Sequence, residues 1–289
     1  MEFTIEQFKE ELKKAKEALQ REDIKKTYRE AAKNFEAMID DLLSQAKVKK
    51  GDVDSRAVIR ISELKYGQGA LQNDELAGKF YIPQIKKPLE EAVNLGKNVK
   101  FMPVKFVKAA LVGGKLDKDF RRTYYGNAVN GLRKFFPKEA YWILGIWPAD
   151  QKGLAMFGIT DDYRYIFKIT GAKNVNDKGE GQREELRKLY EELNQKDIEF
   201  QQNIVKLGTK AYKSYAGVNT KVISFEVEEE RPTYNDLDDI VFNVVDAYVK
   251  YLEAEQLNAL KYLEQAGDKV SDETEDVTTS VEVPEARGF

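Results

Sequence analysis

The chain contains no cysteine and no histidine. Those two absences together remove disulfides, Cys/His zinc sites, thiol nucleophiles, Ser-His-Asp triads and haem ligation. Any catalysis must then run on carboxylates with a hard metal ion, or on Lys, Ser and Tyr. Long hydrophobic runs are missing as well: none approaches the ~20 residues of a membrane span, and residues 1–50 are too charged for a signal peptide. Gly67-Gln68-Gly69 does not continue into a dinucleotide fingerprint, and no Gly-x-x-x-x-Gly-Lys-Ser/Thr occurs, so nucleotide hydrolysis by a phosphate loop is excluded. The expectation is a soluble protein without a cofactor, in a reducing cytoplasm (a host cytoplasm if viral) or in a particle assembled there.

What is present is charge, and it is segregated. The formal balance is only −3. Residues 84–138 nevertheless carry thirteen Lys and Arg against four Asp and Glu, a local +9. From residue 226 to the end there are eighteen acids against five bases, a local −13. The basic block is the part able to attract a polyanion.

Taken in order, Thr4 and Gln7 form a capping box ahead of an amphipathic helix with Ile5, Phe8, Leu12, Ala15 and Leu19 on one face. A second set, Ile24, Tyr28, Ala31, Phe35, Met38 and Leu42, repeats the rhythm. Leu19 to Tyr28 spans nine residues, so the seam breaks, and residues 1–47 read as a helical hairpin or a helix kinked around 20–23. Such seams either pack on the body of the protein or pair with other helices as a coiled coil between subunits. Residues 48–267 read as an α+β core. Strands are predicted over 56–66 and 77–82, short helices over 84–95 and 104–112, and a longer helix over 116–136. The segment 117–170 is the centre of the chain. It holds both tryptophans, and its second half reads as a three-stranded antiparallel meander (141–147, 154–159, 163–169). There Trp142, Trp147, Phe157 and Phe167 are expected to face a core. A helix follows over 182–215, a strand over 218–227, and a last long helix over 237–265 that stops at Gly267. Residues 268–289 are acidic, rich in Ser and Thr, and expected to be disordered. The predicted fold is thus an antiparallel sheet, the meander plus flanking strands, covered by long N- and C-terminal helices.

Three functions fit these patterns. Single-stranded nucleic acid is met by Lys and Arg on phosphates and by aromatic rings under splayed bases. Lys105, Lys108, Arg121, Arg122, Tyr124, Tyr125, Arg133, Lys134, Arg164 and Tyr165 supply those groups. The acidic tail ending in Phe289 shares a design with the tails of many single-stranded-DNA-binding proteins, folding back on the basic surface and docking partner proteins. That reading gives a non-catalytic DNA-binding protein of the kind phages and plasmids encode. The second is a structural protein of a virion or other large assembly, a homo-oligomer in one form of this reading, joined through the helices of residues 1–46. The third is a magnesium-dependent nuclease. Asp54, Glu63 and Lys65 resemble the Asp…Glu-x-Lys arrangement of restriction-type nucleases, in which carboxylates hold Mg²⁺ and a lysine positions water.

Overall fold

The computed structural model describes residues 3–46, 59, 61–68, 74–83, 90–114, 117–125, 153–160, 165–171, 178–196, 199–229 and 232–271. Helix α1, Ile5–Leu19, opens on the capping box: Gln7 N donates to Thr4 Oγ1 (3.2 Å) and Thr4 N to Gln7 Oε1 (2.8 Å). The break in the seam is real. A six-residue helix, α2 (Glu22–Thr27), sits in the bend, and α3 (Arg29–Gln45) returns beside α1. Lys16 Nζ on α1 bonds Asp40 Oδ1 on α3 at 2.7 Å, so the hairpin form is the one adopted.

The apolar faces of this hairpin are filled by the chain's own last helix, α5 (Asp236–Ser271). Phe8, Leu12, Leu19, Phe35 and Ile39 share one core with Val241, Val244, Tyr248, Tyr251 and Leu252. The Phe8 ring stacks on Tyr251 with centroids 5.2 Å apart, and Tyr248 Oη donates to Ile59 O at 2.8 Å. The seam that suited a subunit contact is thus occupied from within. At the start of α5, Asn235 Oδ1 accepts from the backbone N–H of Leu237 and Asp238, while Asp238 Oδ2 accepts from Asn235 N. Asp236, Asp238 and Asp239 then complement the helix dipole. Contrary to the sequence expectation, α5 runs through Gly267 to Ser271. A glycine inside a helix costs only about 1 kcal/mol, too little to force a stop by itself. Residues 272–289 lie outside the described residues.

The main sheet is antiparallel, ordered β7-β6-β4-β8-β9, with β5 on β4 beside this path. Its strands are β4 (Lys100–Gly114), β5 (Asp117–Tyr125), β6 (Gly153–Thr160), β7 (Phe167–Gly171), β8 (Ile204–Lys213) and β9 (Asn219–Glu228). A small second sheet joins β1 (Lys65–Tyr66), β2 (Phe80–Ile82) and β3 (Val93–Gly96). The fifteen-residue β4 is central. Met102 and Val107 belong to the core shared with α1, α3 and α5. Phe101 belongs to a second core, with Phe80, Ile82, Phe167, Ile169, Val205, Leu207 and the buried face of α4 (Gln182–Gln195). Phe106 packs against this second core, edge-on to Tyr190 and Phe200. Pairing with β6 jumps from Pro103↔Gly158 to Lys105↔Phe157, so Val104 is an extra residue. That bulge resets the alternation and accommodates a proline, which has no N–H for a ladder.

Several sequence-based elements are corrected by this sheet. Residues 104–112 and 117–125 are strand, not helix, and so is Val93–Gly96. The helix predicted over 182–215 ends at Gln195, and 204–213 is β8. Among the described residues of the strand predicted over 56–66, only Lys65–Tyr66 is strand, in the small sheet, with Glu63 making an isolated parallel bridge to Lys168; 56–58 and 60 lie outside the described residues. Of the meander, β6 and β7 are antiparallel neighbours as expected, and Phe167 is buried. Its first segment, 141–147, lies outside the described residues, as do 84–89 and 126–136.

Side-chain amides close the outer edge of β9. Gln182 donates to Ile223 O (2.9 Å) and accepts from Ile223 N (2.8 Å), while Gln68 donates to Lys221 O (2.7 Å). These bonds take up backbone groups that would otherwise template another strand.

Buried phenols give this fold an alkaline signature. Burial pushes the Tyr251 hydroxyl well above its ordinary value, with Glu255 adding to the effect, and burial raises Tyr81 as well. The folded phenol keeps its proton longer than the unfolded one. Its contribution to stability is therefore complete below about pH 10 and declines above that value. Tyr251→Phe should unfold at a similar urea concentration at pH 8 and lose less stability than the parent between pH 10 and 11.5. Parallel curves for the two proteins would contradict this.

Candidate nucleic-acid interface

The basic, aromatic run is carried by a β-ribbon. Strand β4 passes the core and pairs with β5 in the register Ala109↔Tyr125, Ala110↔Tyr124, Leu111↔Thr123 and Val112↔Arg122. Lys108 is the next position along β4, paired with Leu154 of β6. Two residues, 115 and 116, link Gly114 to its partner Asp117, so Gly113-Gly114, just past the helix predicted over 104–112, stand at the closed end of a β-hairpin instead. The turn places Lys108, Arg121, Arg122, Tyr124 and Tyr125 on two paired strands. Along β5, Arg122 and Tyr124 take alternate positions to Arg121 and Tyr125, and strand residues two apart share a face.

The other candidates are placed differently. Lys105 is turned to α5, where its Nζ lies 3.5 Å from Asp246 Oδ1. Asp246 also bonds Lys250 Nζ at 2.6 Å. Burial works against the Asp246 carboxylate, but these two lysines outweigh it and hold its pKa below the ordinary value. Lys105 thus already has an anionic partner. Tyr165 is half-buried, in a groove with Asn34, Met38 and Asp41 of α3 and with Ser62 and Ile82. Arg133, Lys134 and Arg164 lie outside the described residues, as does Asp54. Of the nuclease set, Glu63 and Lys65 are ion-paired to each other at 2.9 Å. Among the described residues, no three acidic side chains come together in an arrangement that could hold a metal ion.

A second basic, aromatic region went unnoticed in the sequence. Residues 200–225 contain four lysines (Lys206, Lys210, Lys213, Lys221) and no acid, in a chain where 50 of 289 residues, about one in six, are acidic. The structure folds most of this stretch into the β8–β9 hairpin. On one face, Tyr212 Oη donates to Glu185 Oε1 of α4 at 2.5 Å, with Lys188 and Lys210 3.4 and 3.6 Å from the same oxygen. Burial, and then the Glu185 bond, push the Tyr212 phenol up. At the tip, Tyr215 and Val218 are 67% and 62% exposed. The signal that could have found the hairpin is local absence of acid, which a search for dense basic runs passes over.

No family model, curated protein or solved structure matches this chain. Among the described residues, no helix is long and apolar enough to cross a membrane.

Proposed function

We propose that this protein binds single-stranded nucleic acid without catalysis, acting in the cytoplasm or within a particle assembled there. The observation that supports this reading most is the β4–β5 register, which gathers Lys108, Arg121, Arg122, Tyr124 and Tyr125 from the basic block onto one ribbon. A ribbon of this composition offers cations to phosphates and rings to splayed bases with little dependence on sequence. The acidic residues after 271, tethered to the same molecule, act as a competing polyanion at high effective concentration.

The test is fluorescence anisotropy with labelled poly-dT at two salt concentrations, on the full chain and on a form lacking residues 272–289. Binding should weaken steeply with salt as counterions return to the strand. Reversing Arg121 and Arg122 to Glu should weaken it by about tenfold or more at low salt. Removing the tail should tighten it, most strongly at low salt, where screening is least. Absence of binding by both forms at low salt would end this reading.

A further inference from the structure

We propose that a nucleic-acid strand on the β4–β5 ribbon runs along one face only, the one that continues onto the rings of Phe106, Tyr190 and Phe200, and that these rings carry its next bases. The inference rests on the nucleic-acid reading and adds to it a path and a second set of contacts.

The two faces of β4 differ in what lies against them. Lys105 is paired with Asp246 of α5, and Val107 is buried in the core that α5 closes. Phe106, between them, takes the opposite face, toward α4. Pairing with β6 is regular from Lys105 to Ala109, so positions 108 and 110 share the face of Phe106. Residues directly opposite in an antiparallel pair also lie on one face. Ala110↔Tyr124 and Val112↔Arg122 therefore place Tyr124 and Arg122 on the side of Phe106, while Ala109↔Tyr125 places Tyr125 on the side of α5. On that second side the carboxylate of Asp246 repels a phosphate.

The rings meet where the sheet opens. Strand β6 holds one edge of β4 from Phe101 to Ala109. On the other edge β8 pairs only with Lys100 and Phe101, and β5 joins at Ala109. A 3₁₀ turn, Phe200–Gln202, lies beside the gap. It brings the Phe200 ring to 4.9 Å from Phe106, centre to centre, and Tyr190 of α4 stands 5.4 Å from Phe106 and 5.9 Å from Phe200. All three rings are half-buried. Each is held by the other two, so little side-chain freedom is left to lose when a base stacks on it. The acids next to these rings in sequence, Glu191 and Glu199, are engaged by Arg187 and Gln201. From Phe106 to Val112 the strand covers about 20 Å, which is about six nucleotides at the ~3.4 Å spacing of a stacked strand.

The experiment titrates the full chain against labelled poly-dT and against a DNA duplex of the same length. The variants are the pair Tyr190→Leu/Phe200→Leu, the single Tyr190→Phe, and the matched singles Tyr124→Leu and Tyr125→Leu. Leucine keeps apolar contact with the second core and removes the ring. The leucine pair and Tyr124→Leu should each weaken poly-dT binding about 5- to 150-fold. Tyr190→Phe and Tyr125→Leu should stay within about twofold of the parent, the first because the ring and not the hydroxyl stacks. Duplex binding should not change in the leucine pair, because paired bases do not splay onto rings. If the parent binds poly-dT but the leucine pair stays within about twofold of it, or Tyr125→Leu loses as much as Tyr124→Leu, the inference is overturned and the ribbon reading stands. Equal losses on poly-dT and duplex in the leucine pair would show that the rings serve the fold and not the bases, which also overturns it. A parent that does not bind poly-dT at all ends both readings.

Discussion

Phe8→Ala should destabilise the protein by about 3–5 kcal/mol, among the largest losses a single truncation can produce here. Phe8 is fully buried, in the first helix, yet its contacts are with the last: the ring stacks on Tyr251 at 5.2 Å and approaches Tyr248 at 6.1 Å. Truncation opens a cavity between two helices over two hundred residues apart in sequence, in a core that α3 and β4 also line. The urea midpoint should fall with the slope of the transition unchanged. An unchanged midpoint, or loss of only an early, separate transition, would mean that the N-terminal hairpin folds as its own unit. In either case it would be free to serve as the assembly surface of the alternative reading.

A second large effect is expected from Gly171→Ala. A Cβ at this position would stand 2.6 Å from Arg183 Cα and 2.8 Å from Arg183 N, both backbone atoms of the first turn of α4. Backbone cannot swing aside as a side chain can, so α4 has to shift away from β7 as a body. Overpacking of that kind costs about 1–3 kcal/mol. The shift also pulls Gln182 from Ile223, whose two bonds of 2.8 and 2.9 Å close the edge of β9. Gly208→Ala provides the control: its Cβ meets only Ser224 Oγ, at 2.9 Å, and a hydroxymethyl can rotate. Chemical denaturation should rank parent, Gly208→Ala and Gly171→Ala in falling stability. Equal midpoints for the two variants would show that α4 gives way freely.

The residues that sequence reading found are those whose information is local. The Thr4–Gln7 capping box, the broken seam after Leu19, the alternation of β9 and the acid-rich start of α5 each depend on neighbours within about a turn. Charge segregation is equally local, so the basic block was legible before any fold was known. The helix predicted over 104–112 failed for a physical reason. A central strand covered on both faces needs apolar residues on both. Met102 and Val107 serve one core, while Phe101 and Phe106 serve or pack against the other, and the bulge at Val104 shifts the alternation midway. A run of that kind matches a buried helix as well as a strand.

Residues 200–213 misled differently. Phe200, Ile204, Leu207 and Ala211 keep helical spacing by coincidence, while pairing with the next strand, β9, and with β4, about a hundred residues earlier, decides the matter. By itself the sequence determined the helical ends, the antiparallel α+β character, the chemistries excluded by the lack of Cys and His, and the separation of positive from negative charge. Only the tertiary structure decided that the N-terminal seam is filled by α5, that Arg122 and Tyr124 lie on a ribbon, and that Phe106, Tyr190 and Phe200 form one cluster of rings. Those outcomes depend on which surfaces meet across long separations in sequence, and burial energy selects such meetings only when the whole chain packs.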